Sequence, residues 1–475
     1  MLGAMAIDTT PTQDLGRRLR RAGFAGELID ARHAEYDTAR HVWNGSIDRR
    51  PAAIARCRDA DDVAAAVKSA VALGLPLAVR GGGHSVAGHS TCDGGLVVDL
   101  APLRRVVVAP GARRARVGGG ALLGDLDRAT QEHGLAVPAG QVSHTGVGGL
   151  TLGGGLGYLM RAYGLTIDSL RAARMVTAEG ETVVASEDVN AELFWALRGG
   201  GGNFGVVTEF EFALHPVGPI ITAGALVFPF ERAGEVLRAS RALMAGAPDE
   251  LTIHEILLTI PAHDPFPVAL HGRPAAMLVI AHVGGEEAAA ADIAPLRELG
   301  PVFDLCGPMP FLALQTMIDW DTRHGLGHHS RSHWLGGMED DLIDLLAERL
   351  LHAPSPLSHV ITARMGGAVA RVAPGATAFA HRDAANLLWI IGLWDDPAAP
   401  DAANRAWVDD LADAAAPYST GGVYVNAVTD GEGAARVRAA YGDATFARLQ
   451  AVKRRWDPAN VFRRNANIPP ADENV

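Results

Sequence analysis

The sequence predicts an α+β protein of two domains. Three observations carry that expectation. At 475 residues the chain is too long for one ordinary core. Short apolar runs alternate with amphipathic runs at helical spacing. The character of the chain also changes near Pro219, where a glycine-rich first part gives way to a regular succession of strands and helices.

The elements follow in order. Residues 1–45 read as a helical, peripheral segment. Asp59, Asp61 and Asp62 load a helix start, where carboxylates favour the positive end of the dipole. Val63, Ala66, Val67, Ala70 and Val71 then recur at helical spacing. Leu75 to Val79, Leu96 to Leu100 and Arg105 to Ala109 read as short strands, and Ala121 to His133 as a helix. Gly140 to Gly157 is loop-rich, with seven glycines between Gly146 and Gly157. Arg174 to Ser186 reads as a hairpin turning at Glu179-Gly180. A helix from Ala191 to Leu197 leads into Arg198 to Gly205. Next, Thr208, Phe210, Phe212 and Leu214 alternate with Glu209 and Glu211 in a half-buried strand that Pro216 ends.

Beyond Pro219 the expected strands are Leu251 to Ile260, Ala276 to His282, His359 to Met365 and Leu387 to Leu393. The expected helices are Glu287 to Leu299, Asp340 to Leu351 and Ala402 to Ala414. This mixture predicts one antiparallel sheet backed by helices. The expected division is 1–45, 46–217, 218–418 and 419–475, the last returning to the first domain.

Composition excludes several classes. A net charge of −12 gives no basic surface for nucleic acid. No apolar run approaches membrane-spanning length. Met1 to Gln13 lacks the layout of a signal peptide. Three cysteines, Cys57, Cys92 and Cys306, make no disulfide framework, so a cytoplasmic location is expected. Arginine and alanine bias resembles a GC-rich bacterium. Lysine occurs only at positions 68 and 453, so a cation beside a cofactor must come from Arg, His or backbone N–H.

Arg80-Gly81-Gly82-Gly83-His84-Ser85 carries the most chemistry. Glycines let backbone N–H groups converge on an anion. His84 places a nucleophilic imidazole beside that cradle, and His89 is its rival. Each glycine loop alone could be a tight turn. Three loops in one region point to an extended phosphate-bearing ligand. No G-x-G-x-x-G stands between strand and helix with an acidic residue following, so this is not a dinucleotide fingerprint.

Arg80 to Gly88 resembles the covalent-flavin loop of the berberine-bridge-enzyme-like oxidases, within the vanillyl-alcohol oxidase/p-cresol methylhydroxylase (PCMH) superfamily. Gly148 to Gly157 with Arg161 to Asp168, Arg198 to Thr208, Tyr424-Val425-Asn426, Trp456 to Phe462 and Asn467-Ile468-Pro469-Pro470 resemble its later signatures, in order, over roughly residues 40 to 470. The resemblance implies a two-domain PCMH-type FAD-binding fold with an antiparallel-sheet substrate domain backed by helices. It implies FAD bound by Arg80, Gly81, Gly82, Gly83, His84, Ser85, Val86, Ser143, Thr145, Gly148, Gly149, Gly154, Gly157, Val207, Asn426 and Asn467. It also implies an 8α bond from His84. Many relatives add a second link from a cysteine where this chain has Val142, so a single link is expected.

The implied reaction is oxidation of a CH–OH, CH–NH or activated C–H group of a small molecule, possible in secondary metabolism. Hydride passes to flavin and dioxygen accepts the electrons, forming hydrogen peroxide. Thr145, at the position that gates oxygen in relatives, favours an oxidase over a dehydrogenase using another acceptor. Tyr424 is the candidate catalytic base, provided positive charge lowers its pKa. It could equally be a packed aromatic with its hydroxyl bonded to backbone. Glu255, His381 and Arg382 are alternatives. No metal is expected, although His324, His328, His329 and His333, with Arg331 among them, leave a metal-dependent hydrolase as a competing class. A non-catalytic flavin-fold protein is a third.

Overall fold

A computed structural model describes residues 10–398, 401–429 and 431–472. Residues 1–9 of the expected N-terminal segment lie outside them. Helix Ala60–Ala72 starts where the aspartates predict, with the Asp59 side chain accepting from the Asp62 N–H at 2.9 Å. It crosses between two strands of a four-stranded sheet ordered Glu27–Asp30, Ala53–Arg56, Leu96–Asp99, Leu77–Arg80. The last three run parallel.

A second sheet is antiparallel, ordered Val106–Ala109, Arg114–Gly118, Val206–Ala213, Leu170–Val176, Thr182–Ser186. The predicted hairpin is its edge. Phe210 and Phe212 point into the core while Glu209 and Glu211 are only half-buried, as their alternation requires. The loop-rich 140–157 segment differs from expectation by holding a short helix, Val147–Leu152.

The large sheet has six long antiparallel strands, ordered Ile220–Pro229, Pro274–His282, Leu251–Thr259, His359–Arg364, Asn386–Trp394, Gly327–Leu335. Its two faces separate by the strand period. Leu278, Leu257, Val360, Leu388 and Ile390 pack under helices Ala233–Met244, Glu286–Arg297, Asp340–Leu350 and Ala402–Ala415. Burying each such side chain contributes about 1.5–3 kcal/mol. Met277, Ile256, Ile361 and Trp389 share a cross-strand row and face the other way.

The C-terminal helix Asp443–Trp456 returns to the second sheet. Its Phe446, Leu449 and Val452 join the core that contains Phe204, Phe210 and Phe212. From this helix Lys453 enters the interior with no exposed side-chain surface. Its ammonium donates to Asp457 Oδ2 at 2.7 Å, the Asn203 carbonyl at 2.7 Å and the Phe462 carbonyl at 2.9 Å. Asp457 in turn accepts from the Val461 and Phe462 N–H groups at 2.8 Å each.

Lys453→Met keeps the length of the side chain and removes the charge, leaving a buried carboxylate without its cation. The expected loss is about 3–5 kcal/mol of unfolding free energy in urea. An unchanged unfolding midpoint would show that the ammonium does not support the fold.

Candidate functional site

The strand Leu77–Arg80 ends in the first glycine loop. Here Gly82 and Gly146 meet backbone to backbone; a Cβ on either would run into the other. Gly83 turns the chain at φ +70°. This contact joins the first two glycine segments. The third arrives through Gly201, Gly202 and Gly205, and all three border one cavity of about 390 Å³. The cavity runs from the two smaller sheets to the apolar face of the large one. Gly81, Gly82, Gly83, His84, Ser85, Val86, Thr145, Gly148, Gly149, Val207, Tyr424 and Asn426 all border it. So does Val142, where relatives carry the second linking cysteine. Cys92 is buried elsewhere, its thiol pushed up to about 11 by burial.

His84 lines the cavity. Its ring stacks on Trp43 with centroids 4.1 Å apart, and its Nε2 lies 3.0 Å from His144 Nδ1. Burial and the neighbouring imidazoles of His144, His324 and His328 hold its pKa well below the ordinary histidine value. The ring is therefore neutral near pH 7, the state in which an imidazole nitrogen is nucleophilic. His89 also borders the cavity.

Five expected flavin contacts do not border it. Arg80 is committed to Asp99 at 2.8 Å and to the Ala39 carbonyl at 2.7 Å. Ser143 donates its hydroxyl to Asp319. Gly154 and Gly157 are small because Phe379 and the Ala139 carbonyl occupy the space a side chain would need. Asn467 lies outside the lining, whereas Asn465, two residues earlier, is part of it.

The rival catalytic groups are also structural. Glu255 is paired with Arg364 at 2.8 Å and with the Thr362 hydroxyl. Arg382 is paired with Asp168, and His381 Nε2 with the Ala439 carbonyl. Nor do the four histidines of 324–333 converge as one set: His324 and His328 neighbour His84, and the other two point away. Gly327–Leu335 is a strand, not a helix, so successive side chains take opposite faces. His329 pairs with Asp409 and His333 with the Ala412 carbonyl, while His328 faces the cavity. Arg331 pairs with Asp409 at 3.0 Å. Among the described residues no three His, Cys, Asp or Glu side chains are grouped to hold a metal.

Tyr424 borders the cavity but lacks the expected activation. Its oxygen accepts from Asn426 Nδ2 at 2.9 Å and from the Gly155 N–H at 3.2 Å. Burial outweighs both and raises its pKa above the ordinary phenol value. A neutral phenol donates a hydrogen bond and does not take a proton at neutral pH.

Several lining residues escaped the sequence reading. Arg464 supplies the one Arg or Lys among the described residues of the lining, and its Nε is buried without a partner. Ser90 Oγ and Asn465 Oδ1 border the same cavity and are likewise unpartnered. Glycine walls, unpaired polar atoms and one cation suit an extended diphosphate ligand such as FAD. Asp321, His359, His254 and Gln141 line the end under the large sheet. They lie in segments with no motif, and only the folded topology brings them together.

The fold and cavity define an FAD-linked oxidoreductase. Residues 51–186 match the FAD binding domain family, and residues 423–469 match the berberine and berberine-like family. The chain is 32% identical over 435 residues to an FAD-linked oxidoreductase of Dictyostelium discoideum, covering 90% of this chain and 91% of the relative. It is 32% identical over 468 residues to (R)-6-hydroxynicotine oxidase of Paenarthrobacter nicotinovorans, covering 94% and 97%. The crystal structure of 6-hydroxy-D-nicotine oxidase from Arthrobacter nicotinovorans superposes with a TM-score of 0.85 at 29% identity, over 95% of this chain and 99% of that one. Xylooligosaccharide oxidase from Myceliophthora thermophila, in complex with xylobiose, superposes at 0.85 with 26% identity, over 97% and 100%. The chain belongs to the berberine-bridge-enzyme-like family of FAD-linked oxidoreductases.

A charge-assisted hydrogen bond to phosphate is worth about 1.5–3 kcal/mol. Arg464→Ala is therefore expected to weaken FAD binding about ten- to a hundredfold, titrated in the His84→Ala background so that free FAD is measured. Unchanged affinity would mean that the phosphate charge is met elsewhere.

Proposed function

We propose that this protein is an oxidase that carries FAD on His84 through the flavin 8α carbon and uses dioxygen as electron acceptor. The observation that carries the reading is that His84, with its imidazole held well below the ordinary histidine pKa, lines the same cavity as the three glycine segments and the apolar face of the large sheet. Val142 supports a single link. When bound, the flavin takes a hydride from the substrate carbon and passes its two electrons on to dioxygen, yielding hydrogen peroxide. Thr145 on the cavity wall supports dioxygen over another acceptor. The boundaries at 218 and 419 fit the separate cores beneath the small and large sheets, whereas the described part of residues 1–45 is not a peripheral helical segment: Glu27–Asp30 is a strand of the first sheet, and Leu15 and Leu19 are buried in its core. Three free, buried cysteines fit a reducing, cytoplasmic setting, and the arginine and alanine bias fits a bacterial source. Among the described residues no helix is long and apolar enough to cross a membrane.

The protein's part is to position the substrate, exclude water and accept the proton that its O–H or N–H releases. Tyr424, as a neutral phenol, orients an acceptor atom. Asp321 is better suited to take the proton. It borders the cavity, its Oδ2 is 3.8 Å from His359 Nδ1, and burial raises its pKa above the ordinary carboxylate value. A carboxylate so raised is a stronger base at neutral pH.

Four measurements test this reading. Acid-precipitated protein should keep its yellow colour in the pellet, and His84→Ala should release the colour to the supernatant. Colour still bound in that variant would refute the linkage. Reoxidation by dioxygen of the anaerobically reduced enzyme should be fast; very slow reoxidation would favour the dehydrogenase. Asp321→Asn should lower kcat about 10²–10⁴-fold at unchanged flavin content. In the wild type kcat/KM should rise with pH through an inflection above 3.8, because only the ionised carboxyl accepts a proton. A variant with wild-type kcat would remove Asp321 from the mechanism.

A further inference from the structure

The large sheet presents Ile256, Leu258, Met277, Ile361 and Ile391 to the cavity. Such a wall offers nothing to a ligand with a hydroxyl on nearly every carbon, since each buried hydroxyl would lose its water without gaining a partner. It suits a flat, largely apolar molecule.

Into this wall projects His254, on strand Leu251–Thr259, with its neighbours Val279 and Ala363 in register on either side. It is 3% exposed. The Gln141 amide nitrogen contacts its Nδ1. In this orientation of the amide the nitrogen donates, so Nδ1 accepts and the ring hydrogen stands on Nε2. His254 lines the cavity, its Nε2 is buried with no hydrogen-bond partner, and burial alone pulls the imidazole down to about 4, so the ring stays neutral. Trp389 Nε1, on the same face of the sheet, is a second unpartnered donor. Two buried N–H groups in an apolar wall are costly unless a ligand accepts from them.

We propose that the substrate is a flat, largely apolar molecule bearing a hydrogen-bond-accepting oxygen, and that His254 Nε2–H anchors that oxygen in the tautomer Gln141 imposes. This rests on the proposed function, which puts the substrate at the sheet end of the cavity. His254 binds and positions; no proton leaves it.

The test is calorimetric binding to the yellow holoenzyme of four probes: coumarin, which offers a carbonyl acceptor and no N–H; naphthalene, of the same outline without the oxygen; indole, which offers only a donor; and xylobiose. Coumarin is expected to bind about tenfold or more tightly than naphthalene or indole, and xylobiose not detectably. His254→Ala should erase the preference for coumarin. His254→Gln, which keeps a terminal N–H, should restore part of it. Gln141→Leu, which leaves the sheet untouched and frees the tautomer, should reduce it. Equal affinities for coumarin and naphthalene, tighter binding of indole or xylobiose, or a preference that survives in His254→Ala would each overturn the proposal. A preparation without flavin would instead refute the oxidase reading, so the two failures are distinguishable.

Discussion

The ammonium of Lys453 is the point on which the first half of the molecule is assembled. It gathers the Asn203 carbonyl from the third glycine loop, the Asp457 carboxylate that ends the C-terminal helix, and the Phe462 carbonyl that begins the tail. Asn203 is 250 residues from Lys453 in the chain, whereas Asp457 and Phe462 follow it by four and nine. A buried cation is tolerable only when every hydrogen finds an acceptor, and here all three do. The same knot sets the course of the chain toward Arg464 and Asn465, so the part of the cavity wall that they form depends on it. One of only two lysines in the chain is thus spent on architecture, leaving the cavity's positive charge to an arginine.

The electrostatic character of the cavity follows from dryness. Burial lowers His84, His254 and His328, the last to about 3, and raises Tyr424 and Asp321. Every shift favours the neutral form, as a low-dielectric enclosure dictates. His84, His254, His328 and Tyr424, which looked from their type alone like acids, bases or metal ligands, become neutral donors and acceptors, while in Asp321 the same burial makes the carboxylate a stronger base. Glu255 with Arg364, and Arg382 with Asp168, form ion pairs outside the cavity lining.

Much of the fold was legible from residues alone. Helix Ala191–Leu197 and the strand carrying Phe210 and Phe212 follow from local period and stop signals. Strand Gly327–Leu335 did not, because its run His-His-Ser-Arg-Ser-His reads as polar. It is a strand because Asn386–Trp394 pairs with it along its whole length and because its imidazoles find partners on the helix beyond. The glycine loops and His84 were legible because backbone approach demands glycine and carries a motif. Arg464, Asp321 and His254 were not, since a single polar residue in an apolar or irregular segment has no period to betray it. Gly154, Gly157 and Arg80 show the converse. Residues inside a motif can be there for packing rather than for the ligand.

The two-faced sheet has a consequence for how such a protein changes over generations. Along each long strand, odd and even positions answer to different demands: one set holds the helices, the other shapes the chamber. A mutation at Ile256, Ile361 or Trp389 alters what the chamber admits while Leu257, Val360 and Leu388 keep the fold intact. Selection can therefore retune chemical preference with little thermodynamic penalty. Relatives that share this architecture carry names that record a nicotine derivative in one case and a xylooligosaccharide in another.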